Sequence, residues 1–119
     1  MSTTPQTVIS TDADLVTLIN VFTVAPGRQA ELVTALDRTT RAFFATVPGF
    51  RSANVHASRD GTRVVNYAQW TSAAHVEAML RMPEARPYLA EIGAIVEQSD
   101  PKLYDLRTIH QPGTVTSSR

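Results

Sequence analysis

The sequence predicts an α+β fold of the ferredoxin-like type, in which one antiparallel sheet carries its helices on a single face. Strand-like and helix-like segments alternate in the order βαββαβ, and an Asp-Gly pair joins the two middle strands as a hairpin turn would. The chain has 119 residues, which suits one domain with its own core. We expect this domain at residues 13–110, between flexible segments 1–12 and 111–119 that are rich in Ser, Thr, Pro and Gly.

The first half of the chain predicts a strand followed by one long helix. Leu15–Val24 is dense in β-branched residues and is followed by Pro26-Gly27, which predicts a strand that ends in a turn. From Arg28 to Val47 apolar residues recur with the spacing of an amphipathic helix. Pro48-Gly49 should end this helix, because neither residue favours helical geometry.

The second half predicts a hairpin, a broken helical segment and a last strand. Strands at Arg51–Ser58 and Thr62–Trp70 flank Asp60-Gly61, which is a strong hairpin signal. The later predicted elements are a helix from Thr71 or Ser72 through Met82, a helical stretch from Pro83 to about Gln98, and a strand at Pro101–His110.

The first predicted strand is apolar on both faces, and helices on one side of a sheet cannot cover both. Ile19 and Val21 fall on the face away from the helices, where Val65 and Tyr67 of the third strand would join them. A large apolar patch on a soluble protein usually marks an interface. We therefore expect a homodimer in which two sheets pack face to face, as in a dimeric α/β barrel.

Composition excludes several classes of function. The 11 basic and 11 acidic residues balance without a run of either sign, so nucleic acid and a charged membrane surface are not expected partners. The chain has no cysteine, and His56, His75 and His110 are scattered without the spacing of a metal site. No glycine-rich nucleotide motif follows the first strand. With neither a signal peptide nor an apolar membrane span in the sequence, a cytoplasmic protein is expected.

The stretch VVNYAQW (Val64–Trp70) places polar groups in a row that should be plain hydrocarbon. Asn66 and Trp70 share one strand face with Val64, and Asn20 lies in the apolar phase of the neighbouring first strand. A buried amide without a partner costs about 1–3 kcal/mol, so these groups need a partner. Converging polar groups in an apolar hollow are typical of a ligand pocket. The alternative is that each amide bonds to nearby backbone and that Trp70 is ordinary core.

The segment VPGFRSANVHASRDGTRVVNYAQW (Val47–Trp70) resembles the central segment of the antibiotic biosynthesis monooxygenase family. The resemblance is greatest to the cofactor-free anthrone oxygenases of aromatic polyketide pathways, such as those of actinorhodin and nogalamycin. In those enzymes a PGF turn precedes a hairpin that ends in a similar Asn-Tyr-Ala-Gln-Trp motif. Asn20, in INVFTV, matches a first-strand Asn of some members. Some members carry a pocket Tyr where this chain has Val76.

The resemblance implies a dimeric enzyme that oxidises an anthrone or related phenol to a quinone with molecular oxygen, without metal or flavin. Asn20, Asn66 and Trp70 are then the expected catalytic residues, holding the developing oxyanion by hydrogen bonds. The expected substrate-binding residues are Phe22, Phe43, Val64, Val76 and Tyr88. The sequence does not choose a general base among His75, Arg86 and Tyr88, and none need be present.

Two other functions stay open at this point. The first is haem degradation, because haem-degrading monooxygenases share the predicted fold, although their helical His lies about a turn beyond His75. The second is a non-catalytic dimeric barrel that binds an aromatic metabolite, since a fold alone does not determine function.

Overall fold

The computed structural model describes residues 4–113 and confirms the ferredoxin-like α+β fold. The strands are β1 (Val16–Thr23), β2 (Phe50–Ala57), β3 (Arg63–Trp70) and β4 (Gln98–Tyr104), and the helices are α1 (Gln29–Ala42), α2 (Ala73–Arg81) and α3 (Arg86–Gly93). Single 3₁₀ turns follow α1 at Phe44–Thr46 and precede α3 at Pro83–Ala85. The outermost parts of the two predicted flexible segments, residues 1–3 and 114–119, lie outside the described residues.

The strands form one antiparallel sheet in the order β2-β3-β1-β4. The central pair, β1 and β3, runs in register from Val16 opposite Trp70 to Thr23 opposite Arg63. Because side chains alternate along a strand, Leu18, Asn20 and Phe22 share one face of β1, and the helices pack on that face.

The core between sheet and helices consists of two separate groups of buried residues. The first, here the α1 cluster, joins Phe22 and Val64 of the sheet to α1 and α3; its buried members are Phe22, Val24, Leu32, Ala35, Leu36, Val64, Ile92 and Ile95. The second, here the Trp70 cluster, joins the other end of the sheet to α2; its buried members are Phe43, Val47, Ala68, Trp70, Val76, Met79 and Ala85. This division of the core leaves space between the clusters.

Helix α1 ends earlier than the sequence predicts, at Ala42 instead of Val47. The break falls at Phe43, whose φ of −138° is not helical, and a 3₁₀ turn follows. The break lets two consecutive aromatic rings reach one partner, because the rings of Phe43 and Phe44 lie 5.0 and 6.2 Å from that of Tyr88. In a continuous helix, neighbouring side chains would point about 100° apart, which would keep these two rings from sharing one partner.

The last strand and the helix before it also differ from the prediction. Helix α3 ends at Gly93, short of the predicted Gln98, and β4 runs over Gln98–Tyr104 where a strand at Pro101–His110 was expected. Pairing with β1 explains both ends of β4. Thr23 lies opposite Gln98, and Thr17, next to the start of β1, lies opposite Tyr104, so the residues beyond have no strand to pair with.

The outer face of the sheet carries the expected apolar residues, and part of the N-terminal segment is hydrogen-bonded to it. Ile19, Val21, Val65 and Tyr67 are each half-buried in the single chain. The Thr7 hydroxyl donates to the Asn54 side chain, and the Gln69 amide donates to the Val8 carbonyl over 2.9 Å. The dimer itself stays a prediction. No helix within residues 4–113 is long and apolar enough to cross a membrane.

Candidate active site

A cavity of about 300 Å³ lies between the sheet and the helices, and residues of both core clusters line it. Its wall takes Phe22, Leu36 and Ile92 from the α1 cluster and Trp70 and Met79 from the Trp70 cluster. The wall is mostly hydrocarbon, and the volume is at the lower end of the range for pockets that hold small-molecule ligands.

Asn20 and Asn66 lie directly opposite each other on the two central strands, as the sequence predicts, and both line the cavity. Residues paired in this way have Cβ atoms about 4.5–5.5 Å apart. The Oδ1 atom of Asn20 accepts a hydrogen bond from the backbone N–H of Asp100 over 3.1 Å. This bond fixes the amide orientation, so the Nδ2 group of Asn20 is the part available to a ligand.

Two polar atoms of the wall are buried without a hydrogen-bond partner within residues 4–113: Oδ1 of Asn66 and Nε1 of Trp70. Trp70 is only 2% exposed, and its ring is held edge-on by Phe50 at a centroid distance of 5.6 Å. The two residues are four positions apart on β3, about 13 Å along the strand. One atom is an acceptor and the other a donor, so together they fit a ligand that both donates and accepts hydrogen bonds.

The structure places five of the eight residues predicted for the site on the cavity wall, namely Asn20, Asn66, Trp70, Phe22 and Val76. The other three do not line this cavity, and their part in substrate binding stays a prediction. Val64 is fully buried in the α1 cluster. Phe43 and Tyr88 stack on each other with their ring planes 9° apart and fill the core behind the wall.

The three candidates for a general base also lie off the wall. His75 is at the start of α2, where its Nδ1 atom lies 2.7 Å from the Ser72 hydroxyl. Its ring packs against Gly49, and Arg86 is exposed. The described residues that do line the cavity include no titratable side chain. Any proton that leaves a ligand must therefore pass to solvent or to a second reactant.

The sequence analysis missed the contribution of β4 and of the middle of α1. Ser99 and Pro101 line the cavity beside Asn20, whereas the sequence predicts a last strand that begins only at Pro101 and leaves Ser99 outside it. Thr40 on α1 also lines it. A usable signal existed, because Thr40 follows Leu36 by one helical turn and so places a hydroxyl in the apolar stripe.

Within residues 4–113 no group of three or more His, Asp or Glu side chains is placed to bind a metal ion. The wall instead offers two carboxamides, an indole N–H and the hydroxyls of Thr40 and Ser99. These groups can hold the oxygen atoms of a ligand and stabilise negative charge on them.

Known proteins resemble this chain in both sequence and fold. The chain is 50% identical to tetracenomycin-F1 monooxygenase of Streptomyces glaucescens over 80 residues, which cover 67% of this chain and 71% of that protein. Residues 15–91 match the family described as antibiotic biosynthesis monooxygenase.

Two solved structures resemble the whole domain. SnoaB, described as a cofactor-independent oxygenase from Streptomyces nogalater, superposes with a TM-score of 0.72 at 34% identity, covering 82% of this chain and 97% of that one. A monooxygenase from the gene ActVA-Orf6 of Streptomyces coelicolor, in complex with nanaomycin D, gives 0.73 at 28% identity, covering 85% and 94%. The family match over residues 15–91 and the 50% identity to a curated relative agree with the fold: the chain belongs to the antibiotic biosynthesis monooxygenase family.

Proposed function

We propose that this chain is a cofactor-independent monooxygenase that oxidises an anthrone-type polycyclic phenol to a quinone with molecular oxygen, in aromatic polyketide (antibiotic) biosynthesis. The observation that carries the proposal is the pair of unpartnered polar atoms, on Asn66 and Trp70, buried in the wall of an apolar cavity. The description of SnoaB as cofactor-independent and the nanaomycin D complex of the ActVA-Orf6 protein support it.

The reaction needs no electron carrier because the substrate supplies the electrons. The methylene group of an anthrone loses a proton and leaves an electron-rich enolate. One electron passes to oxygen, and the resulting radical and superoxide combine to form a carbon–oxygen bond. The peroxide takes up a proton, and the second methylene proton leaves as the O–O bond breaks, which gives the quinone and water. Four electrons from the substrate reduce the oxygen molecule, one atom of which stays in the quinone.

In this proposal the wall residues hold charge and orient the ring. The indole N–H of Trp70 donates to the oxygen on which the enolate charge develops, and Oδ1 of Asn66 accepts from a phenol hydroxyl of the same substrate. The Nδ2 group of Asn20 is a second donor opposite Asn66. A donor placed at a developing oxyanion in a dry site contributes about 2.7–4 kcal/mol to the rate. Two such donors supply a substantial part of the barrier reduction of an ordinary enzyme.

The structure disfavours haem degradation. Haem iron is held in proteins by His, Cys, Tyr or Met side chains. Of these, the described wall residues include only Met79, and His75 bonds to Ser72 away from the cavity. We expect no sharp Soret shift when the purified protein is mixed with haem. Such a shift would favour haem degradation over anthrone oxidation.

Oxygen uptake with a simple anthrone such as dithranol tests the proposal. We expect the wild-type chain to consume oxygen above the spontaneous rate. Trp70→Phe keeps an aromatic ring but removes the donor, and should lower kcat about 100-fold or more. Arg59→Gln is the control and should keep the wild-type rate, because Arg59 is exposed in the β2–β3 hairpin and takes no part in the wall.

The same assay separates an enzyme from a binding protein. A chain that only binds an aromatic metabolite would leave oxygen uptake at the spontaneous rate. Uptake that is unchanged in Trp70→Phe would show that the enzyme class is right but that the indole N–H has no role in the reaction.

A further inference from the structure

A second hollow, an open groove of about 850 Å³, lies beside the cavity at the edge of the sheet. Helix α1 forms one side of this groove, β2 forms its floor, and residues 5–7 of the N-terminal segment close the other side. Four residues line both the groove and the cavity: Leu36, Thr40, Phe50 and Ala53. The two spaces are therefore separated only by shared side chains, and a ligand that fills the cavity abuts the groove.

A β-bulge directs one cation into this groove. The pairing of β2 with β3 shifts between Phe50, opposite Trp70, and Ser52, opposite Gln69, so Arg51 is the extra residue without a cross-strand partner. Phe50 then faces the cavity beside Trp70, and Arg51 lines the groove. Bulges re-aim single side chains in this way and are common next to active sites.

The charge in the groove is unbalanced because of this arginine. Three described charged side chains line it, Asp37, Arg41 and Arg51. Asp37 and Arg41 form an ion pair with each other, and the guanidinium of Arg41 lowers the pKa of the Asp37 carboxyl. The guanidinium of Arg51 makes no ion pair with any residue between 4 and 113. The groove thus has one uncompensated positive charge, on the residue that follows Phe50 of the cavity wall.

We propose that the groove binds a carboxylate substituent of the polycyclic substrate, with Arg51 as its partner. This inference rests on the proposed function and adds a specificity site to it. A cavity of about 300 Å³ suits a fused ring system, and a ring substituent that reaches past the side chain of Phe50 meets the groove. The planar guanidinium matches a carboxylate with two parallel hydrogen bonds, and a neutral substituent gains nothing from it.

The single tryptophan of the chain gives a readout of binding that does not depend on turnover. Trp70 lies in the cavity wall, so a bound quinone should quench its fluorescence. We would titrate the protein with anthraquinone-2-carboxylate and with its uncharged primary amide. The wild-type chain should bind the carboxylate more tightly, by about fivefold at low salt, as befits a partly exposed ion pair. Added salt should reduce this preference.

Arg51→Gln should remove the preference for the carboxylate and leave binding of the amide unchanged. Arg51→Glu should reverse it. Arg59→Gln is the matched control, since Arg59 is an exposed arginine of the β2–β3 hairpin that does not line the groove, and it should keep the preference.

The outcomes distinguish this inference from the proposed function. Equal preference in Arg51→Gln and the wild type, or an equal loss in Arg59→Gln, would overturn the carboxylate site. Failure of both anthraquinones to quench Trp70 would overturn it as well, because the ring must sit in the cavity. Oxygen uptake with dithranol, which has no carboxylate, does not depend on Arg51. If the protein took up no oxygen with dithranol, that result would count against the proposed function alone.

Discussion

At the scale of single residues, Gly49 shows how tightly the site end of the domain is packed. Its φ is +91°, a backbone conformation that side chains with a Cβ rarely adopt, and its carbonyl accepts from the backbone N–H of Thr71 just after β3. A Cβ built on Gly49 would lie only 2.4 Å from the ring of His75. The PGF turn therefore needs glycine for its conformation and for space.

Gly49→Ala should lower the free energy of unfolding in urea by more than the roughly 1–2 kcal/mol that a left-handed conformation costs a residue with a Cβ. Gly27→Ala is the matched control, because Gly27 has a similar φ of +87° but no atom within 4 Å of the added Cβ. The amount by which Gly49→Ala lowers the free energy of unfolding more than Gly27→Ala does measures the clash with His75. Equal losses in the two variants would show that the ring moves aside freely.

Sequence reasoning locates the polar row of the site but not the whole wall. Strand periodicity and the order of the sheet place Asn20, Asn66 and Trp70 on one face and make the two amides neighbours. Val64 belongs to the same row, yet α1 covers that end of the sheet. Nothing in strand periodicity tells how far each helix stands from the sheet, and that spacing decides which part of the row faces a cavity.

At the scale of elements, the β2–β3 hairpin is stabilised by one carboxylate. Oδ1 of Asp60 accepts from the hydroxyl of Thr62 over 2.7 Å, from its backbone N–H over 3.0 Å, and from the Ser58 hydroxyl over 2.8 Å. These bonds, those of Thr62 first, lower the pKa of Asp60. They favour the charged form and hold the turn that sets the register of the two strands.

Asp60→Ala should therefore destabilise the protein in a pH-dependent way. The folded pKa of Asp60 lies below its unfolded value of about 3.9, so its contribution is complete above that value and disappears as the pH falls through the folded pKa. Urea unfolding should show the wild type more stable than the variant at pH 7, with the difference shrinking as the pH falls below about 4. A difference that is constant from pH 7 to pH 3 would contradict this account.

The elements themselves could be predicted to different degrees. The first three strands carry local signals, since β1 is rich in β-branched residues and Asp60-Gly61 marks the turn between β2 and β3. The last strand carries few, because Ser99, Asp100 and Pro101 are poor strand formers. Their strand conformation comes from pairing with β1, a tertiary effect that no local pattern contains.

At the scale of the whole molecule, the apolar outer face of the sheet predicts self-association. Light scattering should give a mass of twice the 13.0 kDa of the chain. Val65→Asp puts a charge in the middle of this face and should give the mass of one chain. Leu80→Asp is the control, because Leu80 is 55% exposed on α2, on the opposite side of the sheet, and should leave the dimer intact. A monomeric wild type, or a dimer that survives Val65→Asp, would exclude this interface.

The division of the core into two clusters explains how one small domain has both stability and a cavity. Each cluster packs one end of the sheet against its own helices, and the gap between them is where Asn66 and Trp70 face inward. A ligand that bonds to their unpartnered atoms would stabilise the folded protein on binding. The central claim is that these groups serve a ligand and not the fold.

The free energy of urea unfolding of Asn66→Leu tests this claim most directly. Leucine has nearly the size of asparagine and replaces the unpartnered Oδ1 with an apolar group, so stability should be unchanged or higher by about 1 kcal/mol. A loss of about 1 kcal/mol or more, as expected for a broken buried hydrogen bond, would show that the amide has a partner within the fold and would contradict the account.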